Sequence, residues 1–172
     1  GRIDTLHSAV LLEKFKTLQE ELVQRNKIAS YYTQHLQSDF VTPVTLEGNE
    51  HVFSLYCLQH DDRDLVLQGL KKQNVPHAVY YPKCIHEQPA YQYLGYSLGD
   101  FPQAEKVTQK IFSIPMHPWL TQKEQDQVIS ALKGMPHSNR RVRMKPWHAF
   151  YTQETMDLVQ EMYKEDFLAF HY

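Results

Sequence analysis

HVFSLYCLQHDDRDLVLQGLKKQNVPHAVYY, His51–Tyr81, is the stretch on which the fold class turns. Its opening, His51–Gln59, is rich in β-branched and aromatic side chains and follows the Pro, Gly and Asn of the loop Thr42–Glu50, so it reads as a strand. Asp61 or Asp62 then stands where a helix needs an N-cap, and Leu65, Val66 and Leu70 form an apolar stripe. Lys71 and Lys72 suit the negative end of that helix. HAVYY, His77–Tyr81, reads as a second strand. Strand, helix, strand within about thirty residues predicts an α/β (α+β) domain, a small sheet covered by helices.

Working outward, Thr5 to Leu36 contains neither Pro nor Gly, and Leu6, Val10, Leu11, Phe15, Leu18, Leu22, Ile28 and Tyr32 recur near the helical period behind a cap at Asp4. One helix of about thirty residues would be ~45 Å long, more than a small domain covers, so part of it is expected to pack on a second subunit or another domain. Asp100–Pro115 (DFPQAEKVTQKIFSIP) reads as a helix capped by Asp100 with Pro102 in its first turn. Thr121–Gly134 (TQKEQDQVISALKG) carries a capping box, Thr121 with Glu124, and a terminating Gly134. Met135–Trp147 loses all hydrophobic period. Met156, Val159, Tyr163, Phe167 and Phe170 then line one face of a final helix capped by Thr152. The expected organisation is a linking helix over 1–36, a small domain over 37–133, a basic linker over 134–151 and an amphipathic helix over 152–172.

A chain of 172 residues with a net charge of −2 and 42% hydrophobic content fits one globular domain, and its charge does not favour nucleic acid as the main partner. No apolar run approaches the ~20 residues of a bilayer span and the N-terminus lacks a leader pattern, so the reading is a soluble, cytoplasmic protein. The two cysteines, Cys57 and Cys84, lack CxxC or finger spacing, which fits a reducing compartment. Arg140, Arg141, Arg143 and Lys145 form a basic run without aromatic interleaving, read as a solvated linker rather than a phosphate or RNA site.

Ten histidines raise the question of a metal, with His77, His86 and His117 as the group to imagine converging. None has the helical i, i+4 spacing beside a carboxylate that a zinc site uses, and the reading is no metal. No Ser or Cys lies in a nucleophile elbow, and six glycines supply no Gly-rich phosphate loop. What remains is YYPKCIHEQPAYQYLGY, Tyr80–Tyr96, with five tyrosines, two prolines and a histidine. Either the rings cap a core, or Tyr81 and His86 stand on a loop wall where a phenol and an imidazole hydrogen-bond a sugar hydroxyl, phosphate or carboxylate.

YYPKCIHEQPAYQYLG, followed by GDFPQAEKVTQKIFSIPMHPWLTQKEQDQVISAL, closely resembles the C-terminal part of the DegT/DnrJ/StrS type of pyridoxal phosphate dependent sugar-nucleotide aminotransferases. There the pattern is roughly YPxPLHxQPAYxxLG, then a DFPxAE helix, an LPMHP turn and a closing helix. GRIDTLHSAVLLEKFKTL resembles the family's segment after its Asn-x-Arg turn, with Arg2 and Asp4 at matching positions, and HVFSLYCLQ its small-domain strand. Cys84 departs from the pattern and leaves His86 in register.

The resemblance implies a fold type I small domain and linking helix, and a homo- or hetero-oligomer with active sites at a subunit interface. It also implies pyridoxal phosphate and a nucleotide-sugar substrate. It carries Tyr81, His86 and Arg2 over as substrate-side contacts, with a weaker assignment for His51 and a structural one for His117. The Schiff-base lysine and phosphate-binding residues belong to a large domain, and no lysine here stands in that motif. The chain by itself is therefore expected not to transaminate, and to need a cofactor-bearing partner domain or subunit. The alternative is an interaction module, a pseudoenzyme derived from the family. The tail, Trp147–Tyr172, instead resembles the end of membrane-type carbohydrate sulfotransferases, with His171 where those have Gly.

Overall fold

The computed structural model of the protein describes residues 3–135; Arg2, the basic run and the sulfotransferase-like tail lie outside the described residues. Asp4 accepts the amide of His7 at 2.9 Å and caps α1, Thr5–Phe15. The expected single long helix is in fact two, because α1 ends and α2 runs Leu18–Leu36. At the break the amides of Lys16 and Thr17 bond the carbonyls three residues back, Glu13 and Lys14, and the Thr17 hydroxyl also reaches the Lys14 carbonyl. A threonine that offers its own hydroxyl to the helix backbone competes with the i to i−4 ladder, and the unbroken apolar period concealed this.

The second half of α2 faces the domain: Ile28, Tyr32 and Leu36, spaced by four, are buried. They meet Tyr56 and Leu58 from β1, Tyr56–Gln59, and Phe112 and Ile114 from β2, Ile111–Ile114. Val66 and Leu70 of α3, Arg63–Lys72, and Val128, Ile129 and Leu132 of α5, Gln122–Lys133, complete the core. The two strands pair antiparallel, Tyr56 opposite Ile114 and Gln59 opposite Ile111. The result is the helix-covered small sheet expected from the sequence.

Three element assignments change. Only four of the nine residues His51–Gln59 are strand. Phe53 instead turns into the left-handed region at φ 43°, its amide donating to His51 Nδ1 and its carbonyl accepting from Arg25. HAVYY forms a single bridge, Ala78 with Ser113, between Pro76 and Pro82, neither of which can donate to a ladder. The strand that pairs with β1 is Ile111–Ile114, read from sequence as the end of a helix; that helix, α4, stops at Lys110. An apolar run of four residues has no period that separates a last helical turn from a short strand. The capping box of α5 stands as expected, Thr121 and Glu124 exchanging backbone and side-chain bonds. No described helix is long and apolar enough to cross a membrane.

Candidate functional site

Ser113 bonds Ala78 in both directions, at 2.7 and 3.2 Å, so β2 lies between β1 and this bridge. From there the chain passes through Pro82 into two short 3-10 helices, Ile85–Glu87 and Pro89–Leu94, and returns through Gly95, Gly99 and Phe101 to α4, Pro102–Lys110. Pro89 starts the second turn and Gly95, at φ 77°, ends it.

None of the five tyrosines in this loop caps a core. Tyr80, Tyr81, Tyr91, Tyr93 and Tyr96 expose between 41% and 80% of their surface. Tyr81, at 70%, stands edge-on to Tyr80 with ring centres 5.8 Å apart. The five phenols are exposed, and of these Tyr96 rests its ring on Phe101 at 5.0 Å.

His86 is different. Its imidazole is almost wholly enclosed, packs at 4.8 Å on Phe101 and bonds through Nε2 to Glu105 Oε1 at 3.1 Å. Glu105, in the first turn of α4, also accepts the amide of Gly99 at 2.8 and 3.0 Å and that of Phe101 at 3.2 Å. Burial by itself pushes the Glu105 carboxyl up; the amides of Gly99 and Phe101 and the His86 ring outweigh it and hold the group below the ordinary glutamate range. Its bonds therefore add stability at neutral pH and lose that contribution only as pH falls through a midpoint below that of a free glutamate. A carbon-13 titration of the Glu105 carboxyl will show that low midpoint; a midpoint at or above the free value would contradict the geometry.

Glu105 ends the DFPQAE segment of the sequence, Asp100–Glu105, to which the sequence reading assigns no site role. Its signal was available: an acid just inside a helix that starts at a proline, behind GD, can reach back to the amides that precede it. Cys84 is buried, its amide held by Glu87 Oε2 at 2.9 Å and its thiol pushed up by burial, which disfavours the thiolate. His77 and His86 do not converge: His77 Nδ1 bonds the Val75 carbonyl, and His117 is exposed. Among the described residues no cluster of His, Cys, Asp and Glu is arranged to hold a metal ion. His51 lies elsewhere, on the rim of an open groove of about 830 Å³ beside α2, with Asn26, Ser30 and Tyr31.

Comparison with known proteins gives this loop and its supports a context. Residues 1–133 match the model of the DegT/DnrJ/EryC1/StrS aminotransferase family. A "pleiotropic regulatory protein" of Geobacillus stearothermophilus is 36% identical over 136 residues, 77% of this chain and 37% of its own length. The "UDP-2-acetamido-2-deoxy-3-oxo-D-glucuronate aminotransferase" of Pseudomonas aeruginosa is 36% identical over 121 residues, 70% of this chain and 33% of its own. The crystal structure of a DegT/DnrJ/EryC1/StrS aminotransferase from Brucella abortus superposes with a TM-score of 0.73 at 35% identity, covering 77% of this chain and 36% of that one. The chain thus spans about a third of the length of the relatives it matches.

Proposed function

The chain belongs to the DegT/DnrJ/EryC1/StrS aminotransferase family, and from that premise we propose that residues 1–133 are the small-domain portion of a sugar-nucleotide aminotransferase. Amino-group transfer to a keto sugar then takes place where this portion meets a cofactor-bearing large domain or second subunit. The observation that carries the reading is the exposed Tyr81, edge-on to Tyr80 just ahead of the loop in which His86 meets Glu105, in a chain 36% identical to a protein named as a UDP-sugar aminotransferase.

Pyridoxal phosphate, where it is bound, supplies the electron sink for amino transfer. The residues described here do not fit it by themselves. A Schiff base needs a lysine desolvated beside the cofactor, whereas no described lysine is buried and Lys110, the least exposed, pairs with Asp61 at the surface. The contribution of this chain is accordingly positional. Tyr81 offers a ring face and a hydroxyl to the sugar, with His86, held by Glu105, and Arg2 as the further substrate-side residues of this reading. The apolar residues of α1 support the need for a partner. The helix buries none of its residues, and Leu6, Val10, Leu12 and Phe15 are each more than half exposed.

The test uses the full-length protein that carries this chain, loaded with pyridoxal phosphate and given glutamate and UDP- or dTDP-linked 3-keto hexoses. Amino-sugar nucleotide is expected by mass, and Tyr81→Ala should raise KM about 3–10-fold, the worth of one aromatic contact, while stability stays within about 0.5 kcal/mol. Absence of any amino transfer, with a second protein bound in its place, would sink this reading in favour of the interaction module.

A further inference from the structure

We propose that Glu105 is the positioning residue of the tyrosine-rich loop: one enclosed carboxylate ties the outgoing and returning limbs of the 84–101 segment together and so fixes where Tyr91, Tyr93 and Tyr96 stand. The catalytic consequence rests on the function proposed above; the structural one does not.

Between Cys84 and Glu105 no apolar residue is buried, and the enclosed side chain is that of His86. A loop of this length ordinarily holds its shape by sinking an apolar side chain into the core. Here Tyr91, Tyr93, Leu94, Tyr96 and Leu98 are each more than 40% exposed. The limbs are joined instead by the packing of His86 and Tyr96 on Phe101 and by polar bonds from α4. The Glu105 carboxylate receives His86 Nε2 from the outgoing limb and the amides of Gly99 and Phe101 from the returning one, so a single group closes the loop.

One turn further along the same face of α4, the Thr108 hydroxyl lies 3.8 Å from Cys84 Sγ, and the Thr108 carbonyl accepts from Arg63 at 2.6 Å. α4 is thereby tied to α3 while it holds the loop. Gly99 is required at its position because its φ of 100° is closed to other residues, and that turn aims its amide at the carboxylate. An acid that merely capped its own helix would bond the amides just before it; the bond to His86, nineteen residues away, is what a cap does not need.

The experiment compares Glu105→Ala and Glu105→Gln in the full-length protein. The Gln variant keeps one oxygen to accept the amides and guards against a misfolded Ala variant. Amide hydrogen exchange at Gly99 and Phe101 is expected to accelerate at least about tenfold in the Ala variant and less in the Gln variant, with Leu58 and Phe112 unchanged. With the UDP- and dTDP-linked 3-keto hexoses as probes, KM should rise about tenfold while kcat stays within about threefold. Unchanged exchange at Gly99 and Phe101, or core amides that open equally, overturns the proposal, as does an opened loop with KM unmoved. If the wild type transfers no amino group to either probe, the function proposed above falls, and the exchange measurement alone decides the role of Glu105.

Discussion

Phe112→Ala is expected to remove about 3–5 kcal/mol of folding stability, the range for emptying a large aromatic site in a packed core. Phe112 is fully enclosed in β2, opposite Leu58, and its ring meets Phe40 edge-on at 6.2 Å. The site has little freedom to collapse. Backbone pairing fixes the strand on one side, and Tyr56, Leu70 and Leu132 belong to the same close-packed cluster. Against the roughly 5–15 kcal/mol that holds an ordinary domain folded, such a loss leaves little. Urea unfolding should show the midpoint falling by about 1–3 M with an unchanged slope. A loss below about 1 kcal/mol would mean that the sheet is not the centre of the core.

Leu132→Ala should cost about 2–5 kcal/mol by the same mechanism on the helical side. Leu132 is fully enclosed in the last turn of α5, with Val128 one turn before it. The same helix carries buried Gln125, whose amide donates to the Leu120 carbonyl at 2.9 Å and fixes the chain ahead of α5. Because Leu132 and Phe112 share one cluster, the double variant should depart from the sum of the two single losses. Leu6→Ser provides the contrast. Its side chain is 81% exposed on α1, so the same urea measurement should move by less than about 0.5 kcal/mol. A large loss there would show that α1 contributes to this core.

Much of the architecture was legible because several elements advertise themselves locally. The Thr121/Glu124 box, the Asp4 cap and the Pro89 turn need only neighbours in the chain, and each appears where the residues put it. The helix over Arg63–Lys72 was legible for the same reason, although Leu65 of its expected stripe remains half exposed. Errors gathered where a few residues answer to distant partners. Ile111–Ile114 is a strand because Tyr56–Gln59 is there to pair with it, and Phe53 leaves the strand because Arg25, twenty-eight residues away, takes its carbonyl. Neither partner shows in a local window.

The sequence by itself determined the fold class, the caps at Asp4 and Thr121 and the crowding of phenols between Tyr80 and Tyr96, since composition, period and turn chemistry act over a few residues. Asp100, expected to cap α4, instead accepts the Ser97 amide, and the helix starts behind Phe101. Only the tertiary structure decided which side chains of that stretch are enclosed and which are exposed. Enclosing His86 against Glu105 and leaving Tyr81 at the surface are consequences of where α4 packs, and an enclosed carboxylate must find donors wherever the fold supplies them. Spacing along the chain could place a histidine and a tyrosine on one loop. It took packing to enclose one of them and leave the other exposed.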